Sequence, residues 1–315
     1  MINITLRQLR YVEALARHGH FGHAAEASAI SQPALSMQIR ELEDALGVAL
    51  FERRPRSVRL TEFGAEFVRR ARRILLAVDE LPDLARAEAA RQSGRLSGRL
   101  RIGIIPTVAP YLLPRIMAEL MQRHPALDIH VRETLTARLL VDLAEGRLDT
   151  AIVALPVSEP ALTEVALFSE EFVLVRPAAE ADQPVPDRGR LREMRLLLLE
   201  EGHCFRDQAI SFCNRPEAAS RELLDGSSLS TLVQMVGAGI GVTLIPEMAV
   251  PVETRSAPVA VARLAAPRPG RTIGMVWRRT TPLAPQLGQI ADVVRQAGGG
   301  GDQTSRSGVV PGRQR

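Results

Sequence analysis

The sequence contains no lysine. Its 315 residues carry 40 basic side chains, all of them arginine, against 36 acidic ones. The positive charge is therefore insensitive to pH and always presented as a planar fork. Cysteine is nearly as scarce. Two residues cannot build a disulfide scaffold, so the thiols are expected to be reduced by default. The opening residues MINITLRQLR lack the pattern of a secretory leader. The longest mostly apolar stretch, Leu232 to Val252, is broken by Gln234, three glycines, Pro246 and Glu247, so no membrane span is expected. No Walker loop, GxSxG elbow or HExxH sequence occurs, which argues against the commonest nucleotide, hydrolase and zinc-protease chemistries. These absences leave a cytoplasmic protein whose hydrophobic fraction of 46% is ample for packed cores, in a length that suggests two domains.

The charge is concentrated. Residues 1–99 hold 16 arginines and 12 acids, and the remainder holds 24 of each, so the whole surplus of +4 lies in the first third. Residues 53–73 alone contain eight arginines against Glu62 and Glu66. Such a patch beside a neutral remainder fits a phosphate-backbone footprint, and a solvated helix face would read the same on charge alone.

Leu6, Leu9, Val12, Leu15 and Ala16 fall at helical spacing and predict a helix over 5–17. A short second helix follows, over about 23–29. Ser31 reads as the N-cap of a third, with Pro33 in its first turn and Gly47 ending it. Two short helices across a tight turn describe a helix-turn-helix. Around Ser31 and Pro33, the third helix offers Gln32, Ser36, Gln38 and Arg40 as groups able to reach base edges and phosphates. The run LFERRPRSVRL reads as a hairpin tipped by Arg53, Arg54 and Arg56, a basic wing aimed at phosphate or the minor groove. Thr61 caps a long helix over 62–92, which Pro82 should bend or interrupt. Its seam of Phe63, Phe67, Ile74, Val78 and Leu81 asks for a dimer partner or a core. Residues 93–99 form a hinge.

From Leu100 onward, strand and helix patterns alternate over about 200 residues, which implies an α/β fold on a parallel sheet with right-handed crossovers and ligands at strand C-termini. Thr107 is so placed. The tail from 298 to 315 is of low complexity and is expected to be disordered. His18, His20 and His23 form HxHxxH without a matching carboxylate or thiol, a polar turn rather than a metal site; no metal or cofactor is expected.

Cys204 and Cys213 lie in GHCFRDQAISFC. If the intervening residues are helical, nine steps separate the thiols by about 13.5 Å along the axis and turn them to opposite sides. A disulfide needs Cα atoms within about 7 Å, so this pair either switches by remodelling its helix or is simply two small buried hydrophobes. The surroundings favour Cys204 as the reactive member, since a helix N-terminus, His203 and Arg206 all favour a thiolate. Attack on a peroxide would give a sulfenic acid that Cys213 could resolve.

The segment LRQLRYVEALARHGHFGHAAEASAISQPALSMQIRELEDALGVALFERRPRSVRLTEFG closely resembles the N-terminal domain of LysR-type transcriptional regulators. IGIIPTVAPYLLP, GHCFRDQA followed by Phe212-Cys213, and RTIGMVWR are similar to peroxide-sensing members of that family. The resemblance implies a winged helix-turn-helix over 1–61, a linker and dimerisation helix over 62–92, and a two-lobed α/β effector domain over 100–297, like a periplasmic binding protein. It implies double-stranded DNA, RNA polymerase and hydrogen peroxide as partners, a dimer of dimers, and no enzymatic role. It gives Cys204 the peroxidatic role and Cys213 the resolving one. Thr107, Thr136, His203, Asp207 and Arg271 would surround the thiol, with Thr107 binding peroxide and Arg271 and His203 helping to activate it. The competing expectations are a LysR-type regulator of a small organic anion with incidental cysteines, and a thiol peroxidase.

Overall fold

The computed structural model describes residues 4–54, 57–93, 96–213 and 225–299; at 53, 54, 57, 92 and 93 only the backbone is described. It divides into two units, Met1–Ala85 and Arg86–Arg315.

The first unit begins with α1 (Leu6–His18), opened by a reciprocal capping box between Thr5 and Gln8 and closed by Gly19 at φ 63°. Then come α2 (Phe21–Ala27) and α3 (Gln32–Leu46). Leu9, Val12 and Leu15 of α1 and Leu35, Ile39 and Leu42 of α3 are buried, as their spacing predicts. Strands β1 (Phe51–Arg54) and β2 (Ser57–Leu60) form the expected antiparallel hairpin. Thr61 caps α4 (Glu62–Asp79), its hydroxyl accepting from the Gly64 amide at 2.8 Å. A Cβ on Gly64 would lie 2.0 Å from the Leu50 carbonyl oxygen, so only glycine lets α4 cross the base of the wing this closely. The helical stretch is interrupted at Glu80, two residues before Pro82, and resumes as α5 (Leu81–Ser93). Val68, Ala71 and Leu75 are buried within the unit, while Phe63, Ile74 and Leu81 are exposed.

The second unit holds two hydrophobic cores, one per lobe. The first lobe is built from β3 (Gly98–Ile104), α6 (Ala109–Arg123), β4 (Leu127–Glu133), α7 (Thr136–Ala144) and β5 (Thr150–Leu155). Its strands pair in parallel across helical crossovers. Strand β6 (Leu162–Pro177) then runs through both lobes. The second lobe contains α8 (Arg188–Glu193), β7 (Leu196–Leu199), α9 (Cys204–Cys213), β8 (Asp225–Gly226), α10 (Leu229–Gly237), β9 (Val242–Pro246), α11 (Val250–Glu253) and β10 (Val259–Arg263). Strand β11 (Gly270–Arg278) returns to the first lobe, and α12 (Ala284–Gly299) covers it. The strand order is β4-β3-β5-β11-β6-β9-β7-β8, with β10 on β6.

The sheet is mixed rather than parallel throughout. Strand β11 lies antiparallel to β5 and β6, and β6 antiparallel to β9 and β10. Strands β10 and β11 follow one another in the same direction along β6, joined by residues 264–269, which carry no helix. Residues 300–315, expected to be disordered, lie outside the described residues.

Candidate functional site

Two sites can be built from these elements. In the first unit, α3 presents Gln32, Pro33 and Arg40 to solvent, with Ser36 and Gln38 half-buried beside them. Ser31 is engaged as the helix cap, its hydroxyl accepting from Ala34 N at 3.4 Å. Gln38 donates to Glu41 at 2.7 Å, so one candidate base-reading group is already partnered. In the wing, the backbones of Arg53 and Arg54 pair with Val58 and Ser57. Arg56 lies outside the described residues. His20 caps α2 through its ring nitrogen, which accepts from Gly22 N at 3.1 Å; no metal-holding cluster occurs among the described residues.

The second site lies between the lobes. Pro106 and Thr107 follow β3, Thr134 and Leu135 follow β4, and Ser227 and Ser228 follow β8. With His203, Tyr111 and Glu253 they line a cleft of about 370 Å³. Strand C-termini converge here, as expected for such sheets. Across the cleft Tyr111, on α6, donates to Glu253 at 2.6 Å, and Ser230 donates to the other oxygen of the same carboxylate at 2.6 Å. Burial and this carboxylate together push the Tyr111 phenol well above its ordinary value.

Arg271 joins the strands behind Thr107. Its guanidinium donates to the Thr107 hydroxyl at 2.7 Å, to the Thr107 carbonyl at 3.0 Å, and to Glu170 at 2.7 Å. The Arg271 side chain is fully buried, and it sits 5.5 Å from the ring centroid of Phe205. Burial raises the pKa of Glu170 and Arg271 lowers it, with burial the larger influence.

Cys204 is the first residue of α9 and half-buried, and it packs against the core of the first lobe. Cys213 is the last residue of the same helix, with no exposed surface, inside the core of the second lobe. The two are not joined. Nine helical steps hold the thiols about 13.5 Å apart in rise. His203 lies on the cleft wall, and burial lowers its pKa below the ordinary 6.5. Burial thus favours the neutral ring, which can accept a proton. Arg206, expected to favour a thiolate, is differently employed. It is buried and donates to the Leu199 carbonyl at 2.7 Å and to Asp225 at 2.5 Å.

The remaining expected site residues divide. Thr136 opens α7, and its hydroxyl is buried without a hydrogen-bond partner. Asp207 lies in the first turn of α9 but is exposed. Sequence reasoning missed Glu170 and Gln208. The Gln208 side-chain oxygen is buried without a partner, and Glu170, Gln208 and Arg271 line a separate open groove of about 630 Å³. Gln208 was detectable as the residue one helical turn after Cys204. Glu170 was not, because 101 residues separate it from Arg271.

Residues 6–65 match the family described as bacterial regulatory helix-turn-helix protein, lysR family, and residues 93–299 match the LysR substrate binding domain. This chain belongs to the LysR family of transcriptional regulators. It is 42% identical over 297 residues to the DNA-binding transcriptional dual regulator OxyR of Escherichia coli K12, covering 93% of this chain and 95% of that one. A full-length OxyR variant from Pseudomonas aeruginosa superposes with a TM-score of 0.71 at 36% identity, over 93% of this chain and 98% of that one. A hydrogen peroxide-bound OxyR variant from Corynebacterium glutamicum gives 0.65 at 35% identity, over 95% and 94%. These LysR-family relatives are transcriptional regulators rather than enzymes. No described helix is long and apolar enough to cross a membrane.

Proposed function

We propose that this chain is a hydrogen peroxide-responsive DNA-binding activator, switched by a reversible disulfide between Cys204 and Cys213. The observation that carries the reading is the placement of the two thiols. They cap opposite ends of one helix, and each is packed against the core of a different lobe. Joining them must unwind α9 and alter how the lobes meet, which gives a covalent signal a mechanical output.

The chemistry balances on this chain's own groups. The Cys204 thiolate attacks one oxygen of the peroxide; the S–O bond forms as the O–O bond breaks. The departing hydroxide takes a proton and leaves as water. The Cys213 sulfur then displaces the sulfenic oxygen, the S–S bond forms, and a second water departs. Two electrons pass from the sulfur pair to the peroxide. Neutral His203 can accept the thiol proton. Thr107, oriented by Arg271, offers a fixed hydroxyl, and the unpartnered Thr136 and Gln208 oxygens are available to a small O–H donor.

The cleft chemistry favours this reading over an organic-anion effector. Its charged lining side chains are Glu133 and Glu253, and among the described residues it is lined by no arginine. Two carboxylates repel an anion and tolerate a neutral solute. In the first unit, exposed Gln32 and Arg40 support major-groove binding, and exposed Phe63, Ile74 and Leu81 support a dimer formed through α4 and α5. A dimer of dimers on promoter DNA, contacting RNA polymerase in the cytoplasm, completes the proposal.

The test is to add one equivalent of hydrogen peroxide to the reduced full-length protein, count thiols, and footprint promoter DNA. Two thiols should be lost and the footprint should change. A Cys204→Ser protein that keeps the wild-type footprint change on peroxide would falsify the switch.

A further inference from the structure

We propose that Arg188 and Arg192 of α8 form a clamp on the C-terminal end of α9 that sets how readily the Cys204–Cys213 disulfide forms. The proposal rests on the disulfide reading above and adds to it the element that holds the reduced state.

Helix α8 is short but firmly seated. Asp187 caps it, accepting from Arg190 N at 2.8 Å, and Leu191 is fully buried in the core of the second lobe. Arg188 and Arg192 are one turn apart and so share a face. That face meets α9. The Arg188 guanidinium lies 4.5 Å from the ring centroid of Phe212, and its fork also donates to the Pro267 carbonyl at 3.3 Å. Arg192 donates through Nε to the carbonyl of Cys213 at 2.7 Å. Two arginines thus grip two consecutive residues in the last turn of the helix. Carbonyls there have no donor from their own helix, so Arg192 acts as the cap that the last turn needs.

For the thiols to meet, one end of α9 must let go. The N-terminal end is held from inside. Phe205 is buried with its ring 4.7 Å from Phe172, and Arg206 is buried on the Leu199 carbonyl. At the C-terminal end Cys213 is buried in the core of the second lobe, but the polar holds on the last turn come from arginines that are themselves exposed to solvent. Contacts whose donors can be rehydrated at once are the cheaper to break. The C-terminal end therefore opens first, and the clamp sets the equilibrium between closed helix and resolvable pair. A charge-assisted bond to a carbonyl together with an exposed cation–π contact corresponds to roughly a tenfold change in that equilibrium.

The test compares the full-length parent, an Arg188→Ala/Arg192→Ala double variant, and Arg190→Ala from the same exposed helix. Each is equilibrated in glutathione buffers of graded ratio, acid-quenched, and read by intact mass. The double variant should be half-oxidised in a buffer about tenfold more reducing than the parent needs. After one equivalent of hydrogen peroxide, its sulfenic acid, one oxygen heavier than the thiol, should give way to disulfide about tenfold faster. Arg190→Ala should match the parent. If the parent forms the disulfide and the double variant has the same midpoint and resolving rate, the clamp is overturned and the disulfide reading stands. An equal shift in Arg190→Ala overturns it too. A parent that never forms the disulfide overturns the proposed function, and the clamp with it.

Discussion

Arginine does two different jobs in the two units of this protein. In the first unit it faces water: Arg69 and Arg70 are 71% and 74% exposed, and Arg40 stands free on the face of α3. In the second unit Arg176, Arg206, Arg271 and Arg278 are all buried. There they act as struts between segments. Arg278 donates from one nitrogen to the carbonyls of Leu143 and Leu148 at 2.7 and 2.8 Å, and Arg206 ties β7 to Asp225 at the start of β8. A guanidinium can be buried because its five donors reach several carbonyls at once, which a lysine ammonium on a flexible stem does poorly. A chain without lysine uses one side chain both on its solvated surface and as a brace for loops inside.

The largest test of that contrast is Arg271→Met. It leaves Glu170 buried without its counter-charge and Thr107 without its orienting partner. The second unit should lose about 3–5 kcal/mol of stability, read by denaturant unfolding. A loss below about 1 kcal/mol would show that the strut is ornamental. Next is Arg278→Lys, which keeps the charge but loses the fork. It should cost about 1–3 kcal/mol in the same measurement. Outside, Arg40→Ala should change stability by no more than about 0.5 kcal/mol. It should instead weaken DNA binding several-fold, and if Arg40 meets a phosphate the slope of log affinity against log salt should fall by about 0.9. A stability loss in this variant as large as that of Arg278→Lys would erase the distinction between the units.

The smallest effect is a pH dependence that arginine cannot supply. His203 has a lowered pKa, so its contribution to stability is fully present above its ordinary value of 6.5 and is lost as pH falls toward its lower folded value. Glu170 has a raised pKa and works in the opposite sense: its contribution is present below the ordinary 4.5 and falls as pH rises through its raised value. From pH 7 down to pH 5 the melting temperature of the parent should fall relative to that of His203→Gln, which keeps the Glu170 effect and lacks the imidazole. Identical slopes would show that burial leaves the His203 ring unperturbed.

The first unit was largely legible because its signals are local. The Ser31 cap, the αL glycines Gly19 and Gly47, and the three-and-four spacing of Leu35, Ile39 and Leu42 each act within one or two turns. The separation of the thiols was legible for the same reason, since helix geometry alone sets it. The Thr107–Arg271–Glu170 link was only half visible. Two of its members follow from resemblance, but Thr107 and Arg271 are 164 positions apart, and nothing near Glu170 marks it. The course of β6 through both lobes was also missed. Its burial alternates imperfectly in the first half, where it borders exposed surface, and becomes continuous only in the second. The protonation of His203 depends on what covers it, which no neighbouring residue in the chain announces.

Under the proposed switch, the span of α9 between its two thiols would also act as a timer. A sulfenic acid at Cys204 would have to persist until the far turn of the helix opens, and local opening of this kind takes microseconds to seconds. In that interval a small thiol could displace the sulfenic oxygen as water and leave a mixed disulfide, which a second small thiol would cleave to restore the Cys204 thiol. A single oxidation could then be erased before the pair closes, and the length of one helix would set how long an oxidised sulfur must survive to be recorded.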